Sequence, residues 1–271
     1  MKLPTWFVGE FVGTFLLVFF GCGSVAAAVL TGAQVGLFQV AIVWGLGIAI
    51  AIHLTSSLSG AHLNPAVTLA MAFFGGFPKS RISGYILTQL LAAFAAAAVL
   101  HAIFGGALEH FEEANHITRG APGSEASAMI YAEYYPNPEG RPLSDARKAT
   151  LGLPRAFAVE VAGTAVLLVV ICGLTDPRNR GRVEHLTPLA IGLTVTLLIS
   201  LLAPLTQGCF NPARDLGPRL FSSLAGWDSL PFTVNGAGWW AVYIVAPITG
   251  GLLGAAIHRH ILAPAYANDA D

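Results

Sequence analysis

Apolar residues fill this chain in long unbroken blocks, not in the narrow stripes of soluble helices. A helix crossing a bilayer needs about 20 mostly apolar residues. Six stretches reach that length, at roughly 5–29, 37–55, 82–104, 155–174, 186–203 and 238–258. Several are rich in Gly and Ala, which let helices approach closely inside a membrane. Gly9/Gly13 and Gly250/Gly254 carry the small-xxx-small spacing, which reads as helix packing. Two further apolar pieces, about 64–75 and 211–224, are too short to span. Each opens on Asn-Pro-Ala, a tripeptide suited to starting a helix. Asn caps early helix N–H groups with its side-chain oxygen, and Pro fits the first helical position, where no N–H is needed. Short helices in matching places of two halves are the pattern of re-entrant segments.

The two halves are related by duplication. Glu10-Phe11-Val12-Gly13-Thr14 matches Glu160-Val161-Ala162-Gly163-Thr164 at an offset of 150 (160 − 10), and Asn64 matches Asn211 at 147 (211 − 64). Each half holds three spans, so the second copy enters the bilayer from the opposite side. The expected fold is therefore all-α: six transmembrane helices and two re-entrant half-helices in an inverted repeat. One transmembrane domain covers 1–271, with a first repeat 1–104, an external segment 105–154 and a second repeat 155–262.

Composition supports this. The chain has 271 residues, of which only 11% are charged, against roughly 25% in a soluble domain. Its net charge of −1, with no basic run, excludes a nucleic-acid partner. The three cysteines show no metal-ligand spacing; Cys22 and Cys172 read as small core residues. No HExxH motif or nucleophile–base pair is present, so neither an enzyme nor a cofactor or metal site is expected. The start of the chain lacks a cleavage site and reads as a retained first span. Short loops rich in Lys and Arg lie on the cytoplasmic side. Arg178, Arg180 and Arg182 in 175–185, Lys79 and Arg81 near 80, and Lys2 and Arg259 at the ends place both termini there. The uncharged loop 31–36 and the segment 105–154 fall on the external side, in a multi-pass protein of the plasma membrane, or of the inner membrane in a bacterium.

Ionisable groups at membrane depth are costly and face the protein interior or a water-filled path. Glu10 and Glu160 stand at equivalent places on the first helix of each half. A proton or ion carrier is one reading of them. The favoured one is structural, because a non-helical segment in a membrane leaves backbone groups that lipid cannot satisfy, and a carboxylate can accept several N–H donors. Arg214 follows the second Asn-Pro-Ala directly. A cation there opposes the helix dipole, which favours a donor lining a pore over a structural Arg. Asp215 beside it reads as a partner holding the loop. His53 faces either a neighbour or the pore, and His62 is expected to bond local backbone.

These residues resemble the aquaporin (major intrinsic protein) family, and its glycerol facilitator branch in particular. SGAHLNPAVT at 59–68, NPARDLGPR at 211–219, the two Glu-x-x-Gly-Thr elements, His116–Gly120 and Tyr135–Pro138 carry the likeness, which covers about 5–259. The resemblance implies that Asn64 and Asn211 meet at the membrane centre and point amide donors into a single-file pore. Carbonyls of Gly60, Ala61, His62, Leu63, Gly208, Cys209 and Phe210 would form an acceptor ladder opposite an apolar wall. Cys209 on that ladder implies block by mercurials. It also implies a homotetramer in the lipid bilayer.

By distance from the motifs, the family's selectivity filter falls on Trp44, Ile199, Gly208 and Arg214. Water-selective members carry His at the position of Ile199, and 186–203 contains none. Glycerol facilitators place Phe where Gly208 stands and a small residue at Ile199. Trp/Ile/Gly/Arg, like Tyr243-Ile244, is closer to nodulin-like intrinsic proteins. The implied activity is passive conduction of glycerol-like polyols with some water, through a constriction that excludes protons and ions. The alternatives are a metalloid or urea channel, a mainly water-conducting channel, or, from another class, a proton-coupled transporter using Glu10 and Glu160.

Overall fold

The computed structural model describes residues 3–33 and 36–268, which form helices and connecting turns with no strand among them. In chain order the main helices are α1 (Thr5–Thr31), α2 (Leu37–Ser59), α3 (Pro65–Phe74), α4 (Ile82–Ala114), α5 (Leu153–Thr175), α6 (Thr187–Thr206), α7 (Pro212–Ser222) and α8 (Gly238–Ala267). Six of these are long and apolar enough to cross a membrane, while α3 and α7 are the short ones. Lys2 and residues 34–35 of the loop 31–36 lie outside the described residues.

Packing repeats the duplication. α1 lies against α2 and α4 as α5 lies against α6 and α8, and the halves join where α2 meets α6, α4 meets α7 and α8 meets α3. Each short helix is therefore held by the last long helix of the opposite half. At the α2–α6 crossing, Gly45 and Gly192 face each other so closely that a Cβ on either would strike the other's carbonyl oxygen. Gly250 and Gly254 ride on the carbonyls of Val161 and Ala165, and Gly13 on the side chains of Leu63 and Thr55. The small-xxx-small spacings are packing contacts.

α4 runs ten residues past the expected end at 104. Leu108 and Phe111 stay on its inward face, packed against Met129–Ala132 and Trp227, while Glu109, His110 and Glu113 are exposed. The chain thus leaves a wholly apolar stretch for an amphipathic one without breaking the helix. The connection then folds back as a cap over one end of the bundle, touching Ala26 and Leu30 of α1.

At the opposite end Asp176, just past α5, is buried and accepts three bonds from Arg178: from its backbone N at 2.9 Å, Nε at 2.9 Å and Nη2 at 2.8 Å. His258 Nε2 on α8 lies 3.1 Å from the same carboxylate. The Arg178 bonds hold the Asp176 carboxyl down at about 2, against burial, which pushes it up. A depressed carboxyl stabilises the fold above its unfolded value, and that contribution is lost as pH falls through the folded one. Asp176→Asn is expected to destabilise the protein at pH 7 by about 1 kcal/mol, a figure discounted because Arg178 is half exposed. The gap in melting temperature from wild type should close as pH drops from about 4 towards 2. Gly192→Leu should overpack the α2–α6 crossing, costing about 1–3 kcal/mol, read as a lower Tm in detergent.

Candidate functional site

The site is built where both short helices begin. On the way into α3 and α7 the backbone is non-helical and needs acceptors for its N–H groups. Glu10 supplies them for the first copy. Its Oε1 accepts from His62 N at 2.9 Å and Ser59 Oγ at 2.7 Å, and its Oε2 from Leu63 N at 2.8 Å and Gln89 Nε2 at 2.7 Å. Glu160 does the same for the second. Its Oε1 accepts from Cys209 N at 3.0 Å and Thr206 Oγ1 at 2.6 Å, and its Oε2 from Phe210 N at 2.8 Å. Both carboxylates are fully buried. Both carboxylates are thus engaged by backbone and side-chain donors.

The backbone they tie down is unusual and duplicated. Gly60, Ala61 and Leu63 have φ of 82°, 48° and 52°; their equivalents at the offset of 147, Gln207, Gly208 and Phe210, have 64°, 74° and 51°. Left-handed backbone at a non-glycine costs roughly 1–3 kcal/mol and persists only where surroundings enforce it. Here the carboxylates enforce it.

The two Asn side chains then lock the copies together. Asn64 Oδ1 caps α3 by accepting from Ala66 N at 2.8 Å, and its Nδ2 donates across to Phe210 O at 2.8 Å. Asn211 Oδ1 caps α7 by accepting from Ala213 N at 3.0 Å, and its Nδ2 donates to Leu63 O at 2.9 Å. Each amide carries two N–H donors, so one crosses to the other copy and one is left over.

A single cavity of about 430 Å³ passes this junction. Asn64, Asn211 and Gly60, Ala61, His62, Leu63, Gly208, Cys209 and Phe210 line it, together with an apolar set that includes Leu17, Ile48, Val67, Leu167 and Val195. Trp44, Ile199 and Arg214 lie on it too. Arg214 is held on every side. Its guanidinium sits 4.6 Å over the Trp44 ring, Nη1 donates to Tyr131 O at 3.1 Å, and Nη2 pairs with Glu133. The two ends of the cavity differ although the backbone is duplicated: at the offset of 147, Arg214 corresponds to Val67 and Trp44 to Ile191. At the end under the cap a guanidinium stacks on an indole. The far end is lined by Thr175, Arg182, Glu184 and Thr187.

Residues 2–258 match the family model described as major intrinsic protein. The chain belongs to that family. It is 42% identical over 257 residues to the glycerol uptake facilitator protein of Pseudomonas aeruginosa, covering 94% of this chain and 88% of that one. It is 40% identical over 256 residues to the glycerol uptake facilitator protein of Escherichia coli (94% and 87%), and 39% identical over 254 residues to the propanediol uptake facilitator of Salmonella typhimurium (93% and 92%). Its fold matches the X-ray structure of the aquaglyceroporin from Plasmodium falciparum with a TM-score of 0.82 at 26% identity, over 97% of this chain and 98% of that one. This major intrinsic protein is a multi-pass membrane channel and not an enzyme.

His62 and Cys209 depart from expectation, while two readings were open for His53. His53 is exposed on the outer face of α2 and does not line the cavity. His62 bonds a side chain, Thr68 Oγ1 at 3.2 Å, and not backbone. Cys209 lines the cavity, but its thiol donates to Asn211 O at 3.2 Å and packs with Tyr135, Val242 and Tyr243. Rapid mercurial access through that sulfur is therefore not expected. Asp215 accepts from Glu133 N at 2.8 Å and pairs with Arg219. Arg219 in turn donates to the carbonyls of Glu133 and Pro231.

Glu133 is the residue that sequence reasoning missed. It is fully buried beside Arg214, in a segment read only as an external connection. A lone carboxylate in the apolar run 126–135 was the available signal, the same one that drew attention to Glu10.

Glu160→Gln would turn an acceptor towards the backbone N–H groups of Cys209 and Phe210 into a partial donor. An unsatisfied buried group costs about 1–3 kcal/mol, so a lower Tm and an at least about fivefold loss of conduction in reconstituted vesicles are expected.

Proposed function

We propose that the channel passively conducts small neutral polyols of the glycerol class, with some water, in single file between Asn64 and Asn211. The observation that carries this is a cavity lined by the backbone arms of both copies and by apolar side chains, with an indole–guanidinium pair at one end. The N–H groups of His62, Leu63, Cys209 and Phe210 are consumed by the two glutamates. In this reading the carbonyls of Gly60, Ala61, His62, Gly208 and Cys209 serve the file as acceptors, while those of Leu63 and Phe210 each already accept one bond from the opposite Asn. A polyol presents hydroxyls along one edge and CH groups along the other, and it fits such a lining. The names of the relatives support the same class.

Asn64 and Asn211 form the constriction in this reading. Each keeps one amide N–H for the solute, and two helix N-termini, each worth roughly half a positive charge, add to them. A water held by donors on both sides cannot relay a proton, and cations meet a positive field. Trp44, Ile199, Gly208 and Arg214 form the filter. Glu10 and Glu160, engaged by backbone and side-chain donors, are not free to serve a proton-coupled transporter. Charge in the short loops supports both termini in the cytoplasm and the cap outside. Exposed apolar residues such as Leu201 and Leu224 suit lipid and neighbouring protomers of a homotetramer.

Gly208 and Ile199 favour a second reading, passage of urea or metalloid acids, because they reshape the filter relative to glycerol facilitators. Stopped-flow swelling of proteoliposomes in water, glycerol and urea gradients, with arsenite uptake alongside, separates the two. Re-swelling in glycerol well above empty vesicles is expected. Failure to re-swell would sink the polyol reading, and arsenite uptake at the level of empty vesicles would sink the second. Ile199→His is expected to cut glycerol conduction at least about tenfold while water conduction persists.

A further inference from the structure

Tyr131 braces Arg214 with its carbonyl, and its side chain ties that carbonyl to α4. The ring is buried, with its centre 5.5 Å from that of Phe221, 5.6 Å from Trp227 and 6.0 Å from His101. Its hydroxyl lies 2.8 Å from Nδ1 of His101, its one polar partner among the described residues. His101 is half-buried on α4 and does not line the cavity. Its ring also packs 5.4 Å from Phe221 on α7, the helix that carries Arg214. One side-chain bond and one backbone bond thus join a histidine outside the cavity to the guanidinium on its wall.

The bond has a direction. A neutral imidazole carries one N–H and one bare nitrogen. With the hydrogen on Nε2, Nδ1 accepts the Tyr131 O–H and the buried hydroxyl is satisfied. With a hydrogen on Nδ1, as in the imidazolium, Nδ1 donates to the Tyr131 oxygen instead. The hydroxyl hydrogen then has no acceptor among the described residues, and a buried donor left unmet is destabilising. The contact therefore suits the neutral ring. The charges that act on His101 are Glu109 and Glu112 on its own helix and Arg119 on the cap. Glu109 is exposed, and Glu112 is already engaged by Arg119 at 2.7 Å and by Ser127 Oγ at 2.7 Å. An imidazolium here gains little from Glu112 and meets the like charge of Arg119.

We infer that His101 is a positioning residue of the channel: its neutral ring accepts the Tyr131 hydroxyl and so keeps the Tyr131 carbonyl on Arg214, and its protonation loosens that hold. The inference rests on the reading of Arg214 as part of the filter. Trp44, Tyr131 and Glu133 engage the guanidinium, which also borders the cavity. Released from Tyr131 O, it has a spare donor beside the file, which detains passing hydroxyls and narrows the way. Polyol conduction is therefore expected to fall with pH across the range from 8 to 5, in which a histidine takes up its proton.

The test is glycerol permeability of proteoliposomes at about pH 8 and about pH 5.5, set equal on both sides of the bilayer, for wild type, His101→Gln and His101→Phe. Gln offers the Tyr131 hydroxyl an acceptor and does not titrate; Phe keeps a ring and offers none. Wild type should lose about fivefold between the two pH values, the worth of one hydrogen bond. Neither variant should show that loss, and His101→Phe should conduct less than His101→Gln at the higher pH. Wild type with equal permeability at both pH values overturns the inference. So does a full loss in His101→Gln, which would place the titrating group elsewhere, as at His62 on the cavity wall. Arg214→Ala with an unaltered ratio of glycerol to water permeability overturns the filter reading and the inference with it. An altered ratio there, beside a wild type indifferent to pH, overturns the inference alone. If the His101 variants do not fold, ¹⁵N NMR of histidine-labelled wild type in bilayers at the higher pH decides, with His101 assigned by its contact to the Tyr131 ring. A bare Nδ1 supports the inference, and a proton on Nδ1 refutes it.

Discussion

Backbone that leaves the helix inside a membrane must find its hydrogen-bond partners within the protein. Everything at the centre of this channel follows from that constraint. Two arms of strained, left-handed backbone would be untenable in lipid. They persist because Glu10 and Glu160 take their N–H groups and because each Asn donates to the carbonyl that ends the opposite arm. The N–H groups are taken by the buried carboxylates. One requirement of stability thus generates the support of both arms.

Duplication supplies the scaffold, and divergence between the copies supplies the chemistry. Backbone angles, capping Asn residues and buried glutamates repeat from half to half. Arg214 against Val67, Trp44 against Ile191 and His62 against Cys209 do not. The proposed filter stands at one end only, braced by a cap that brings Tyr131 and Glu133 onto Arg214. Glu133 gives the buried guanidinium of Arg214 a carboxyl partner, where an unpaired buried charge would be costly.

What could be read from the sequence divides along the same physical lines. The six spans, the short helices and the structural part of Glu10 and Glu160 were legible, because lipid leaves few ways to satisfy a backbone. Ile199 came out on the cavity because a long helix keeps its register. Side-chain directions in the arms were not legible. Left-handed residues follow neither helical nor strand alternation, so nothing in the pattern showed that the thiol of Cys209 turns back or that His62 bonds Thr68. The extension of α4 to Ala114 was hidden by charged residues that read as an exit from the membrane. Glu133 lay in a segment without periodicity, and only tertiary contact reveals its partner.

The central claim is that the junction of Asn64 and Asn211 passes neutral solute while holding back protons. The most direct test loads proteoliposomes with a pH-sensitive dye, imposes a potassium diffusion potential, and records proton entry and glycerol swelling from one preparation. Glycerol passage well above empty vesicles, with proton entry equal to theirs, is the predicted result. Proton entry that rises with protein content would contradict the account.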